Sequence, residues 1–308
     1  MFYPGIEDII GENAEKMEKI ITTFVKVSRK RGFKPFYTPV FEDPKMLFDK
    51  NLLGSNVFKE LYCFQDIEGK RICLRFDHTI SLLRIVRTNK NLKYPLKRYA
   101  IGPVWRFEKK IEANRWREFW QADVDIVGGK EVEMDATCLD IVNECLREVG
   151  IKDFIFRFNS REVIHEIISK KVGRKYMDKI MLFLDKERIN ELKKVVTKKS
   201  PELIELVEMK DSNEKKLLFL KENFLGISGV EKLFKFYRKL RETIRDKNLE
   251  FNIRTVRGLR YYTSLVYEVY IKNVGCCGGG SYKAITYSRK VLPAAGLSLG
   301  LFRILYME

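Results

Sequence analysis

Two strand-like runs, residues 98–105 and 116–126, are separated only by a short charged loop at 106–115, and this constrains the fold more than any other stretch. A parallel pair would need a crossover of a dozen residues or more, so antiparallel pairing is the simplest geometry. A second, smaller antiparallel signal precedes it. Runs at 61–64 and 71–75 flank Gln65-Asp66-Ile67-Glu68-Gly69-Lys70, a hairpin turn with glycine near its end. Helical patterns surround these strands. Met17, Ile20, Ile21, Phe24 and Val27 mark an amphipathic helix over 12–31 that Gly32 stops. Residues 78–88 read as helix. So do 131–148, with Val132, Ala136, Leu139, Val142 and Leu146 inward. A short strand is expected at 36–41, where Pro39 argues for an edge or a bulge.

From 161 to 248 the character changes. The stretch is rich in lysine and glutamate, keeps helical spacing (Ile189, Leu192, Val195, Val196) and carries almost no strand signal. Strand character returns at 252–256 and 261–271, followed by Gly275 and Gly278–Gly280. The chain closes on Gly296, Gly300 and a short apolar helix. The pattern predicts an α+β fold, an antiparallel sheet flanked by helices and interrupted by one helical insertion. No GxxxxGK[ST] or GxGxxG follows a strand, which disfavours P-loop and dinucleotide sites. No run of about 18 uncharged apolar residues exists, so no membrane span is expected. Glu7 and Asp8 near the start do not fit a secretory signal, and the protein is expected to be cytoplasmic.

The formal charge of +17, from 59 basic and 42 acidic residues, suits a polyanionic partner, RNA first, or a lysine-rich solvated surface. The six cysteines form no CxxC pair and only two histidines are present, so no metal site is expected. Reduced, buried thiols are the simplest reading, with Cys138 and Cys145 on one core-facing helix. His78 and His165 read as packing residues. Neither has a serine or cysteine partner that would make a nucleophilic triad.

Chemistry concentrates at Trp105-Arg106-Phe107-Glu108 and Arg115-Trp116-Arg117-Glu118-Phe119-Trp120-Gln121. An arginine ends one strand, a basic loop follows, and an aromatic opens the return strand. Arginine offers a planar fork to phosphate and stacks on purine or aromatic faces. By composition alone the same segment is a solvated hairpin loop.

The order of motifs adds to that reading. Arg-x-Glu followed by Arg-x-Arg-x-Phe-x-Gln resembles motif 2 of class II aminoacyl-tRNA synthetases, in the histidyl version. Leu74-Arg75-Phe76-Asp77-His78-Thr79, Asp123-Val124-Asp125-Ile126-Val127-Gly128 and Arg257-Gly258-Leu259-Arg260-Tyr261-Tyr262-Thr263 resemble further segments of that family. Pro293-Ala294-Ala295-Gly296 with Gly300-Leu301-Phe302-Arg303 resembles motif 3, and the first helix with Pro39 resembles the dimerising motif 1. The resemblance covers essentially the whole chain. It implies a class II catalytic core at 1–160 and 249–308, a helical insertion module at 161–248, and absence of the anticodon-binding domain. It implies ATP and Mg2+, histidine, the acceptor side of tRNA, and a homodimer.

By the same resemblance, Arg106 and Arg257 are the catalytic cations on the α-phosphate. Glu108 would meet the adenine amine, Phe119 and Arg303 would sandwich the adenine ring, and Arg115 would take the γ-phosphate. Asp77, Thr79 and Gln121 would bind the ammonium and carboxylate of the amino acid, and Asp125 and Tyr262 the two imidazole nitrogens. The chain departs from the family at Arg260, Ser281 and Lys283, and also at Ser264 and Phe302. Two other functions are compatible: a regulatory, histidine-binding paralogue that serves ATP phosphoribosyltransferase, and a stand-alone ligase for another small acid.

Overall fold

The computed structural model describes residues 3–49, 53, 57–109, 111, 115–256, 259 and 261–306. Helix α1 (Gly11–Lys30) buries Met17, Ile20, Phe24 and Val27 along one stripe. Glu12 sits in its first turn and Arg29 and Lys30 in its last, each complementing the helix dipole. Gly32, at φ +78°, ends it in a conformation that costs glycine least. Strand β1 (Lys34–Pro35) follows, then β2 (Phe41–Glu42), the short helix α2 (Pro44–Leu47), β3 (Cys63–Gln65), β4 (Arg71–Leu74) and α3 (His78–Thr88). The expected strand at 36–41 is replaced by these two short pieces: the prolines at 35 and 39 remove ladder donors on either side of Phe36.

The two long runs become β5 (Leu96–Trp105) and β6 (Glu118–Val127), paired antiparallel along their full length. Helix α4 (Glu131–Glu148) and β7 (Phe154–Ser160) come next. Six α-helices fill the stretch expected to be an insertion: α5 (Arg161–Ile167), α6 (Met177–Asp185), α7 (Ile189–Val196), α8 (Pro201–Glu208), α9 (Asn213–Asn223) and α10 (Val230–Arg241). Then come β8 (Leu249–Phe251), β9 (Tyr262–Ile271), β10 (Val274–Ile285), β11 (Val291–Gly300) and α11 (Leu301–Leu305). Residues 252–256 are a turn rather than the expected strand. Asn252 shapes it by accepting from the Arg254 N–H, while the Asn159 amide ties down the Ile253 and Thr255 carbonyls.

The main sheet has eight strands in the order β1-β5-β6-β11-β10-β9-β7-β8. Its inner pairs are antiparallel; only the edge pairs β1·β5 and β7·β8 are parallel. Helices α1 and α4 cover one face, linked by ion pairs from Arg31 to Asp140 and Glu144. The insertion helices join the same apolar core, with Leu192, Leu203, Leu217 and Leu233 fully buried. Helix α3 and the small sheet β2-β4-β3 form a second core on the other side with Phe76, Ile80 and Tyr282.

The expectation of six reduced thiols fails at one pair. Cys63 and Cys73 are register partners across β3 and β4, and they form a disulfide. Strand register, which no local motif announces, places them face to face. Cys138, Cys145, Cys276 and Cys277 are free and buried. Among the described residues no helix is long and apolar enough to cross a membrane.

Candidate active site

A cavity opens where the C-terminal half of the sheet meets the start of α3 and the β5–β6 hairpin. It holds about 1020 Å³ of space, part of it open to solvent. The sheet builds the floor by alternation. Phe119, Gln121, Asp123 and Asp125 lie at every second position of β6 and therefore share one face.

Most expected residues converge there. The hairpin contributes Arg106, Glu108, Arg115 and Phe119 to the cavity lining, and Arg303 lines it as well. Arg106 lies 4.3 Å from the ring of Phe76 and 5.3 Å from that of Phe119, and its Nε donates to the Phe76 carbonyl. These contacts fix the direction of a planar fork. Arg115 and Glu108 form an ion pair at 2.9 Å across the hairpin mouth. Arg303 starts from α11 and its guanidinium donates to the Gly275 carbonyl.

The lining also includes Asp77, Thr79, Gln121 and Tyr262. Asp77 is the N-cap of α3, and its Oδ1 accepts from the Ile80 N–H at 2.8 Å. Its Oδ2 accepts from the Tyr261 hydroxyl at 3.3 Å. Burial pushes the Asp77 carboxyl above its usual range, against the helix N–H and Arg106. Gln121 is buried, and its Oε1 has no hydrogen-bond partner among the described residues. An orphaned acceptor at a cavity wall calls for a donor from a ligand.

Two expected residues are not in the lining. Arg257 lies outside the described residues, as do Gly258 and Arg260. Asp125 sits beneath the cavity surface at 1% exposure. Its Oδ2 faces Arg98 at 2.7 Å, in an ion pair that is equally buried, and its Oδ1 accepts from the Tyr282 hydroxyl at 2.6 Å. Asp125 is thus absent from the cavity lining, and its Oδ2, although beside Arg98, has no hydrogen-bond partner among the described residues. Burial pushes its carboxyl up, while Arg98 and the Tyr282 and Thr79 hydroxyls pull it back.

Asp123, one alternation earlier, reaches the cavity instead. Its Oδ1 accepts from Ser298 at 2.5 Å. Burial raises its carboxyl to about 7; Arg98 opposes the rise and Asp125 adds to it. The period of two along β6 could have pointed to Asp123. Nothing local in the sequence signals Tyr282 or Arg98, which reach this place through pairing between distant strands. His78 donates to or accepts nothing in the cavity: its Nε2 faces the Gly102 carbonyl at 3.3 Å, and burial holds the ring far below its usual value, hence neutral. Among the described residues no group of three or more His, Cys, Asp or Glu could hold a metal ion.

The family model described as histidyl-tRNA synthetase matches residues 5–304. The histidine–tRNA ligase of Helicobacter pylori (strain 26695) is 31% identical over 98% of this chain and 73% of its own length. That of Clostridium acetobutylicum is 27% identical, over 99% of this chain and 75% of its own. The crystal structure of histidyl-tRNA synthetase from Nostoc sp. PCC 7120 superposes with a TM-score of 0.82 at 25% identity, covering 99% of this chain and 74% of that one. A Bacillus halodurans structure described as an ATP phosphoribosyltransferase regulatory subunit/histidyl-tRNA synthetase gives a TM-score of 0.84. At 18% identity, over 100% of this chain and 83% of that one, it shows the fold alone.

Proposed function

This chain belongs to the histidyl-tRNA synthetase family, and from that premise we propose that it joins histidine to ATP and passes the histidyl group to the acceptor end of a tRNA. In the first step an oxygen of the histidine carboxylate attacks the α-phosphorus, the bond to the bridging oxygen breaks, and pyrophosphate leaves. In the second a terminal ribose hydroxyl of the tRNA displaces AMP. Neither step needs a protein nucleophile. The work of the protein is alignment and charge stabilisation.

One observation carries the reading: a single cavity is lined by both the nucleotide-type and the amino-acid-type groups. Arg106, braced by two aromatic rings, would hold the α-phosphate beside the substrate carboxylate. Arg115 would exchange Glu108 for the γ-phosphate, which frees Glu108 for the adenine amine. Phe119 and Arg303 would clasp the ring. Gln121, with its orphaned oxygen, and Asp77 would take the ammonium, with Thr79 beside them and Tyr262 toward the imidazole. Arg257 would add a second cation on the phosphate. Mg2+ would arrive on the triphosphate; among the described residues the acids form no metal cluster of their own, so its protein ligands are left unassigned.

The nucleotide-type set favours a ligase over a regulatory histidine sensor, which has no use for Arg106, Glu108 and Arg115 together. We also infer a division into a catalytic core at 1–160 and 249–308 and an RNA-facing module at 161–248. A homodimer through α1 and the segment after it accords with the exposed Ile10, Tyr37 and Phe41. Charging of tRNA with labelled histidine tests the reading. Histidyl-tRNA should form only with ATP present. Histidine binding without any charging at enzyme concentrations near the substrate's would replace the ligase by the sensor.

A further inference from the structure

The Arg98–Asp125 pair lies beneath the cavity surface and no step above uses it. Its members are each 1% exposed, and their closest approach is 2.7 Å. A pair this deep gives up the hydration of both charges and is a poor source of stability by itself. Its cost points to a role in specifying the site. The geometry shows what is specified. Tyr282 lines the cavity, and its hydroxyl donates to Asp125 Oδ1 at 2.6 Å. A phenol has one proton. With that proton committed, any further hydrogen bond its oxygen makes must be accepted, not donated. Gly296 makes room for this arrangement. A Cβ there would stand 2.3 Å from Asp125 Oδ1, so the carboxylate lies across a strand that only glycine leaves open.

We propose that Arg98 is a positioning residue for side-chain recognition: by keeping Asp125 a carboxylate, it makes Tyr282 an obligate acceptor for a ring N–H of the bound amino acid. This rests on histidine being the substrate. Asp125 then fixes the direction of the Tyr282 hydroxyl proton. A five-membered ring without an N–H at that position, as in thiazolylalanine, meets two acceptors and is rejected.

The groups facing Asp125 are few. Arg98 approaches from β5, Tyr282 from β10 and Thr79 from α3. Asp123 on its own strand, Asp77 at the start of α3 and Cys138 on α4 interact with it electrostatically. Arg98 is the cation in direct contact. Without it, a buried carboxyl beside two other acids takes up a proton. Tyr282 is then no longer bound to donate.

The test uses ATP–pyrophosphate exchange by the full chain with histidine and with thiazolylalanine. Tyr282→Phe keeps the ring and removes the acceptor. KM for histidine should rise about ten- to a hundredfold, with the KM for ATP unmoved. Arg98→Met should give a histidine KM that falls as pH rises, relative to the parent, because ionisation of Asp125 restores the acceptor. It should also narrow the preference for histidine over thiazolylalanine. If Arg98→Met does not fold, Tyr282→Phe decides alone. A parent that activates histidine while Tyr282→Phe leaves its KM unchanged overturns the proposal and spares the functional reading. A parent that activates no histidine overturns both. An Arg98→Met variant that changes the KM for ATP and histidine equally, with the parent's pH profile, reduces Arg98 to a structural residue.

Discussion

Replacing Gly296 by alanine should damage this protein far more than the same change at Gly275, although both glycines lie in the central sheet. At 296 the added Cβ would stand 2.3 Å from Asp125 Oδ1, 2.8 Å from its Cγ and 3.2 Å from the Val124 carbonyl oxygen. Two relaxations are open. The carboxylate can leave, which separates it from Arg98 and Tyr282 and strands a buried guanidinium; breaking such a pair costs about 3–5 kcal/mol. Alternatively β11 can shift, but it is paired to β6 on one side and β10 on the other, so overpacking of about 1–3 kcal/mol adds to lost ladder bonds. Either route gives about 3 kcal/mol. At 275 the nearest atom to an added Cβ is Tyr270 Cε1 at 3.5 Å, an ordinary contact. The methyl also reduces the freedom of the unfolded chain, so Gly275→Ala should be neutral or stabilising by under about 1 kcal/mol. Urea unfolding of the parent and both variants measures this, comparing midpoints at constant slope. A Gly296→Ala protein within about 1 kcal/mol of the parent would refute the steric argument, as would equal losses at the two positions.

Three further outcomes are expected. Arg303→Ala should raise the KM for ATP about five- to thirtyfold, from about 1–2 kcal/mol of lost cation–π contact, and leave that for histidine nearly unchanged; equal effects on both would displace Arg303 from the adenine. Asp123, raised to about 7 by burial, becomes a carboxylate as pH rises through that value, so histidine should bind more tightly from about pH 6 to about pH 8, and Asp123→Asn should flatten the rise. For stability the sign reverses. Folded Asp123 keeps a proton the unfolded chain has lost, so its contribution falls between about pH 4 and about pH 7, and urea midpoints of parent and Asp123→Asn should converge toward lower pH. RNA binding measured from about 50 to about 200 mM salt should weaken steeply as counterion release loses its drive; a flat profile would remove the lysine-rich module from the RNA path.

Much of this was legible in the chain because it is written in local periods. Helices α1, α3 and α4 follow from apolar spacing and stop signals, and β5 with β6 from two long runs around one short loop. The hairpin residues that line the cavity were legible because they stand together around one short loop. What escaped depends on pairing between distant segments. Cys63 and Cys73 meet only because β3 and β4 adopt one register. Asp125 and Asp123 look alike in sequence and are equally buried, and only partners from other strands, Arg98 and Tyr282 for the former and Ser298 for the latter, set them apart. The strands expected at 36–41 and 252–256 fail for a simpler cause: prolines in one, and an asparagine-organised turn in the other, outweigh the propensities of the residues around them.

Amino-acid-dependent exchange of labelled pyrophosphate into ATP, run with histidine and then with each other amino acid, tests the central claim most directly. The account predicts exchange with histidine that needs no tRNA, saturates, and disappears in Arg106→Ala. Exchange supported better by another acid, or none with histidine at millimolar concentration in a folded protein that binds ATP, would contradict it. In that case the cavity serves a different substrate.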